Sequence, residues 1–130
     1  MLLTEYLEKL SCMIDDYSKT GYIFSSELNI DIRAENIVLI KATITFTDES
    51  RLSVTEYLDL TSRTEKLSYS YHYQDINGKL LFRYDNAAHK PLLGFVHHKH
   101  VGDSVSQCDP PDLNTTLAEI ITEVVASMRF

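Results

Sequence analysis

The 130-residue chain has no tryptophan, only four glycines, three prolines and two cysteines, and its 12 lysines and arginines are outnumbered by 19 acidic residues. Each shortage excludes something. Cys12 and Cys108 lie far apart and form no paired motif of the kind that holds zinc, so both are read as reduced thiols of a cytoplasmic protein. There is no Gly-rich phosphate loop and no Gly-x-Ser-x-Gly elbow to present a serine nucleophile. No apolar run approaches the roughly 18–20 residues that span a bilayer, so no membrane contact is expected. The start, Met1-Leu2-Leu3-Thr4-Glu5, has no basic segment, and no signal peptide is expected. A formal charge of −7 argues against a surface that grips nucleic acid everywhere. Internal repeats and low-complexity tracts are also missing. The length suits one domain, residues 1–130, with a single core.

What the chain does have is concentrated. All five histidines, His72, His89, His97, His98 and His100, fall inside 29 residues. Imidazole titrates near neutral pH and serves as acid, base or metal ligand, so this clustering marks the candidate functional segment. Residues 79–100 carry Lys79, Arg83, Lys90 and Lys99 against Asp85 alone, whereas the remainder holds 8 basic and 18 acidic groups. A locally basic, His-rich segment on an acidic body suits a focused anion such as a phosphate. It does not suit a long duplex, which needs many phosphate contacts. The acidic remainder can face a basic partner.

The scaffold is legible from periodicity. Leu3, Leu7, Leu10, Ile14 and Tyr17 recur at helical spacing behind the capping residue Thr4, which predicts a helix over 5–17. Alternation with period two then predicts antiparallel strands near 22–33, 36–47, 51–60, 64–75 and 79–85, joined by short polar links. Asp109-Pro110-Pro111-Asp112 is expected to start a second helix with a capping Asp and Pro in its first turn; Leu113, Leu117, Ile120, Val124 and Met128 form its stripe. Residues 87–107 lack clear periodicity and are expected to form a long, packed, His-rich loop. The fold class is therefore α+β: a five-stranded antiparallel meander sheet with N- and C-terminal helices packed on one face.

Three local features bear on chemistry. Glu56 sits on the apolar parity of its strand, where a carboxylate is costly unless paired; it is either a site residue or a residue of an uncovered face. The turn Asp75-Ile76-Asn77-Gly78 fits two geometries. A two-residue turn puts His72 opposite Arg83, and a glycine-bulged turn puts Tyr71 opposite Arg83 with His72 on the other face. Tyr69, Tyr71 and Tyr73 share a face in either case, as half-buried sheet residues or as a stacking surface for bases. For the histidines, metal-independent nuclease chemistry needs a base, an acid and phosphate-binding cations. A metal site with His98, His100 and His89 or Asp85 is the second reading, although the spacing matches no strong zinc signature. Histidines with only surface roles are the third.

The run Tyr71-His72-Tyr73-Gln74-Asp75, Gly78, Phe82-Arg83-Tyr84-Asp85-Asn86-Ala87, His89, Pro91 and His97-His98-Lys99-His100-Val101-Gly102-Asp103 resembles the TumE family of toxins from toxin–antitoxin pairs. The similarity extends to the early Leu-Thr-Glu-Tyr, to Glu56-Tyr57 and to the Pro-Pro-Asp-Leu helix start. Ala88 and Lys90 depart from it, standing where Pro and a further His are common. The resemblance implies a small cytoplasmic toxin neutralised by an antitoxin, often a DNA-binding protein, and leaves a homodimer open. It does not supply the reaction; RNA cleavage is inferred from the residues. The expected catalytic set is His72, Arg83, Asp85, His98 and His100, with Lys99, Tyr71, Tyr84, Asn86, His89, His97 and Glu56 around the substrate and neither metal nor cofactor required. The competing expectation is a non-enzymatic protein whose cavity holds an anionic small molecule, or haem through a histidine.

Overall fold

A computed structural model describes residues 3–87 and 95–128. The helix α1 (Leu3–Ser18) leads into seven strands and the chain closes with α2 (Leu113–Ser127). The strands are β1 (Ile23–Ala34), β2 (Ile37–Phe46), β3 (Arg51–Asp59), β4 (Glu65–Gln74), β5 (Leu80–Asp85), β6 (His98–Val101) and β7 (Ser104–Gln107). They pair in chain order, all antiparallel, as one meander.

The five expected strands and both helices are present, but the sheet has seven strands. The end of the expected loop forms β6 and β7 instead. Val101 and Ser104 pair across Gly102-Asp103, and Gly102 has φ +58, the sign a two-residue hairpin turn needs. β6 then adds to β5 with Arg83 opposite His100 and Asp85 opposite His98. The start of α2 also differs from expectation. Asp112, not Asp109, is the cap, its side chain accepting from Thr115 N at 2.7 Å, so both prolines precede the helix.

One sheet face is the core. Val38, Ile40, Ala42, Ile44 and Phe46 of β2 and Leu52, Val54 and Leu58 of β3 are buried with Tyr69, Tyr71 and Tyr73 of β4. Leu10 and Ile14 of α1 and Leu113, Leu117, Ile120 and Val124 of α2 close over them, so both helices lie on the same side. The alternate residues of β2 and β3 are half-buried or exposed, because that side of the sheet carries no helix. On β1, Leu28 packs on the core, but Ile30 and Ile32 are 40% and 64% exposed, since the helices do not reach that end of the edge strand.

The β4–β5 hairpin combines features of both geometries that the sequence allows. The turn is the glycine-bulged form: Gly78 N donates to Asp75 O at 3.0 Å and Gly78 has φ +82. That register alone would put His72 and Arg83 on opposite faces. However, Gln74 pairs with Leu80 while Tyr73 pairs with Phe82, so Leu81 is an extra residue on β5. The second bulge restores the alternative register, with His72 opposite Arg83 and Ser70 opposite Asp85.

The core assignment has a direct test. Ile44→Ala removes a fully buried side chain from the central β2, and chemical denaturation should show a loss of about 2–4 kcal/mol.

Candidate functional site

The register places His72, Arg83 and His100 in one row across β4, β5 and β6, and Ser70, Asp85 and His98 in the next. Both rows have the parity opposite to Tyr71 and Tyr73, so they lie on the face without helices. Arg83 is the centre. Its Nε donates to Asp85 Oδ2 at 2.7 Å, and its Nη1 lies 3.3 Å from His72 Nδ1. A guanidinium can only donate, so His72 Nδ1 accepts and the ring hydrogen sits on Nε2. Burial, then the Arg83 charge, pushes the His72 pKa below its ordinary value, which favours the neutral ring.

Asp85 is buried and joins three side chains. Besides Arg83, its Oδ1 meets His98 Nδ1 at 3.1 Å and its Oδ2 lies 3.5 Å from His100 Nε2. Burial alone would raise the Asp85 carboxyl. The hydrogen bonds from Arg83 and His98, with the charges of Arg83 and His100, outweigh it and hold the pKa below the ordinary value. His98 is 2% exposed and its Nε2 faces Phe95 O at 3.1 Å. Both of its nitrogens therefore face oxygen atoms, one on Asp85 and one on the backbone of Phe95. His98 thus holds Asp85 from within the fold, while His72, Arg83 and His100 remain partly exposed.

Asp85, His98 and His100 also bring three potential metal-ligand atoms within 4.8 Å of one another. To hold a divalent ion there, Asp85 would have to loosen its bond to Arg83, and His98 would have to release one of its two present partners, Asp85 or the Phe95 carbonyl. The donor set fits a metal only after that rearrangement.

The remaining expected site residues lie elsewhere. Lys99 and Tyr84 belong to the helix-covered face. Lys99 Nζ reaches Glu119 of α2 at 3.3 Å and lies over the Tyr84 ring at 4.9 Å, and Tyr84 Oη reaches Glu119 at 3.2 Å. Lys99 therefore cannot share a phosphate with Arg83 across the sheet. His97 Nδ1 meets Tyr69 Oη at 2.8 Å, with the rings stacked at 5.7 Å. Asn86 ties β5 to β4, accepting from Tyr69 N at 3.0 Å and donating to Leu67 O at 3.3 Å. His89 lies outside the described residues.

Glu56 is 1% exposed beneath the helices. Tyr6 and Tyr71 each donate to it at 2.5 Å, and Lys66 Nζ lies 3.2 Å from its Oε2. Its carboxylate is thus fully paired inside the core, and Tyr71, completely buried, is unavailable to a substrate. Burial, then the Glu56 charge, raises the phenol pKa values of Tyr6 and Tyr71, so both stay protonated donors. The partners Tyr6 and Lys66 were not evident from sequence. Lys66 owes its face to a bulge between Tyr57 and Leu58 that no local motif announces.

Fold and site together define a two-layer α+β protein with a histidine–arginine row on the bare face of its sheet. Within that class the chain belongs to the TumE family: the family model described as toxin TumE matches residues 13–128, most of the chain. It is accordingly the toxin component of a toxin–antitoxin pair, with an antitoxin as its partner. No curated protein and no solved structure matches the chain. No helix among the described residues is long and apolar enough to cross a membrane.

Two measurements separate the carboxylates. Glu56→Ala leaves Lys66 and two phenols without their acceptor and should lower stability by roughly 2–3 kcal/mol. Asp85 has a depressed pKa, so its contribution is present above the ordinary value of 3.8 and is lost as pH falls through the folded value. Unfolding free energy should fall on acidification in that window, and Asp85→Asn should flatten the fall.

Proposed function

We propose that this toxin is a metal-independent ribonuclease acting through the bare sheet face. The observation that carries the reading is the cross-strand row His72–Arg83–His100, which sets a cation between two imidazoles. A phosphate seated on Arg83 is flanked by a histidine on either side, each one strand spacing of about 4.8 Å away across the sheet. Arg83 keeps guanidinium hydrogens beyond those directed to Asp85 and His72, and these bind the phosphate oxygens.

His72 is the base. Its neutral ring takes the proton of the ribose 2′-OH once Arg83 Nη1 turns from His72 Nδ1 to the phosphate. The 2′-oxygen then attacks phosphorus, the bond to the 5′-oxygen breaks, and protonated His100 gives that oxygen its proton. The products are a 2′,3′-cyclic phosphate and a 5′-hydroxyl, with proton and charge balanced. Asp85 positions both Arg83 and His100, in the manner of a triad carboxylate. His98 positions Asp85 and does not touch the substrate.

The competing reading, a binding protein for an anion or haem, draws no support from the cavity between α2 and the sheet: about 620 Å³, it is lined among the described residues by Asp48, Glu119 and Glu123 against Lys99, a setting that disfavours an anion.

The test is cleavage of single-stranded RNA by the purified toxin with analysis of the new ends. Cyclic phosphate ends formed in the presence of EDTA are expected; absence of cleavage, or cleavage abolished by EDTA, rejects the proposal. Activity should follow a bell-shaped pH profile. Because His72 titrates below 6.5, the acid limb should lie below that pH. His72→Ala and His100→Ala should each cost roughly 10²–10⁴-fold in rate.

A further inference from the structure

The bare face extends well beyond the His–Arg–His row. In register, that row continues from His72 to Ser53 on β3 and Thr43 on β2. Arg51 lies on one side of it, opposite Gln74, and Lys41 on the other, opposite Thr55. Both cations are exposed, and the hydroxyl residues between them are half-exposed. Tyr57, also half-exposed, lies on the same face one position past Thr55 in the alternation.

The charges on this face are ordered. Between β2 and β5, the rows from Arg51 to Lys41 carry Lys41, Arg51 and Arg83 against Asp85, which is already bound by Arg83 and His98. The other acids lie at the margins: Glu27 and Asp31 on the edge strand β1, Asp59 and Glu65 at the β3–β4 end. A polyanion is thus attracted along one path and repelled from its borders, on a chain whose net charge is −7.

From these observations we infer that the face is a single-stranded RNA platform. The strand runs across the β-strands from Arg83 toward Thr43, with Arg51 and Lys41 meeting phosphates on either side and Tyr57 offering a ring to a base. The inference rests on the ribonuclease reading for the identity of the polyanion and adds the subsites. Three strand spacings make the path about 14 Å long. At about 3.4 Å per stacked nucleotide this accommodates roughly four nucleotides, the lower end of known single-strand site sizes. A duplex needs more phosphate contacts than three described cations supply.

The experiment uses the full chain and fluorescein-labelled 2′-O-methyl oligouridylates, which cannot be cleaved. Anisotropy should show affinity rising about tenfold from the dinucleotide to the hexamer, and a 2′-O-methyl duplex of equal length binding more weakly. Arg51→Ala and Lys41→Ala should each weaken hexamer binding roughly three- to tenfold and reduce the salt slope by about 0.7. Both variants should cleave a dinucleotide at the wild-type rate. Wild-type-like hexamer affinity in both variants, equal affinity for the duplex, or no hexamer binding by the wild type overturns the platform. If the platform holds and the ribonuclease reading fails, the hexamer still binds through Arg51 and Lys41 while unmodified RNA stays intact. If the reverse is true, RNA is cleaved and the two variants bind like wild type.

Discussion

The site depends on one extra residue. The glycine-bulged turn at Asp75–Lys79 sets a register that would send Arg83 and Asp85 to the helix side, opposite Tyr71 and Tyr69. Leu81 on β5 undoes this, because a single unpaired residue reverses the facing of everything beyond it. Only then does Arg83 meet His72 on the bare face, and only then can β6 pair so that His98 and His100 flank Asp85. Leu81 itself is 37% exposed, so its role is in backbone geometry rather than packing.

The protein buries two carboxylates and treats them differently. Glu56 lies under the helices with two phenols and Lys66, all directed inward. Such a cluster fixes how α1, β3 and β4 pack, since Tyr6 comes from the helix and Tyr71 from a neighbouring strand. Asp85 lies on the other side, and its partners Arg83 and His100 are partly open to solvent. A buried charge with partners at the surface can pass its influence to a ligand there; a charge sealed in the core cannot. The two environments differ in that respect: Glu56 is enclosed by its partners, whereas two of the partners of Asp85 reach solvent.

The alternation of Val38 through Phe46 and of Leu52 through Leu58 made the central strands and their buried face readable, because period two reports facing directly. The stripes of α1 and α2 were equally plain, except that Met128 lies past the end of α2 and is 48% exposed. The strands β6 and β7 were missed because they are four residues each, too short for periodicity to stand out, although His98 and His100 alternate and Gly102-Asp103 is a hairpin signal. The cap of α2 was misjudged because Asp109 and Asp112 both satisfy the local rule, and only the Thr115 contact distinguishes them. At the site, the residues that converge could be named from sequence, but not their faces. Lys99, Tyr71, Tyr84 and Glu56 look equivalent to Arg83 in a linear reading. A bulge is a property of pairing, so sequence parity could not tell whether Arg83 and Asp85 share a face with His72 or with Tyr71.

Putting the helices on one face leaves stability and chemistry on opposite sides of a sheet one residue thick. The core side carries the apolar burial that resists unfolding, and it tolerates little change. The bare side owes its residues to parity alone: Thr43, Ser53, His72 and Arg83 need only stand on half-exposed strands. Polar groups there lose little hydration, so they add little to folding and are free to be chosen for charge. That freedom explains how a chain of net charge −7 can hold cations along one path while acids occupy its borders. Asp85 is the exception on this side, since its burial keeps the local dielectric low and so strengthens its hold on Arg83 and His100. On the proposed reading, a phosphate arriving at Arg83 would meet a cation already oriented by that bond, and would cost less reorganisation than at a free surface arginine.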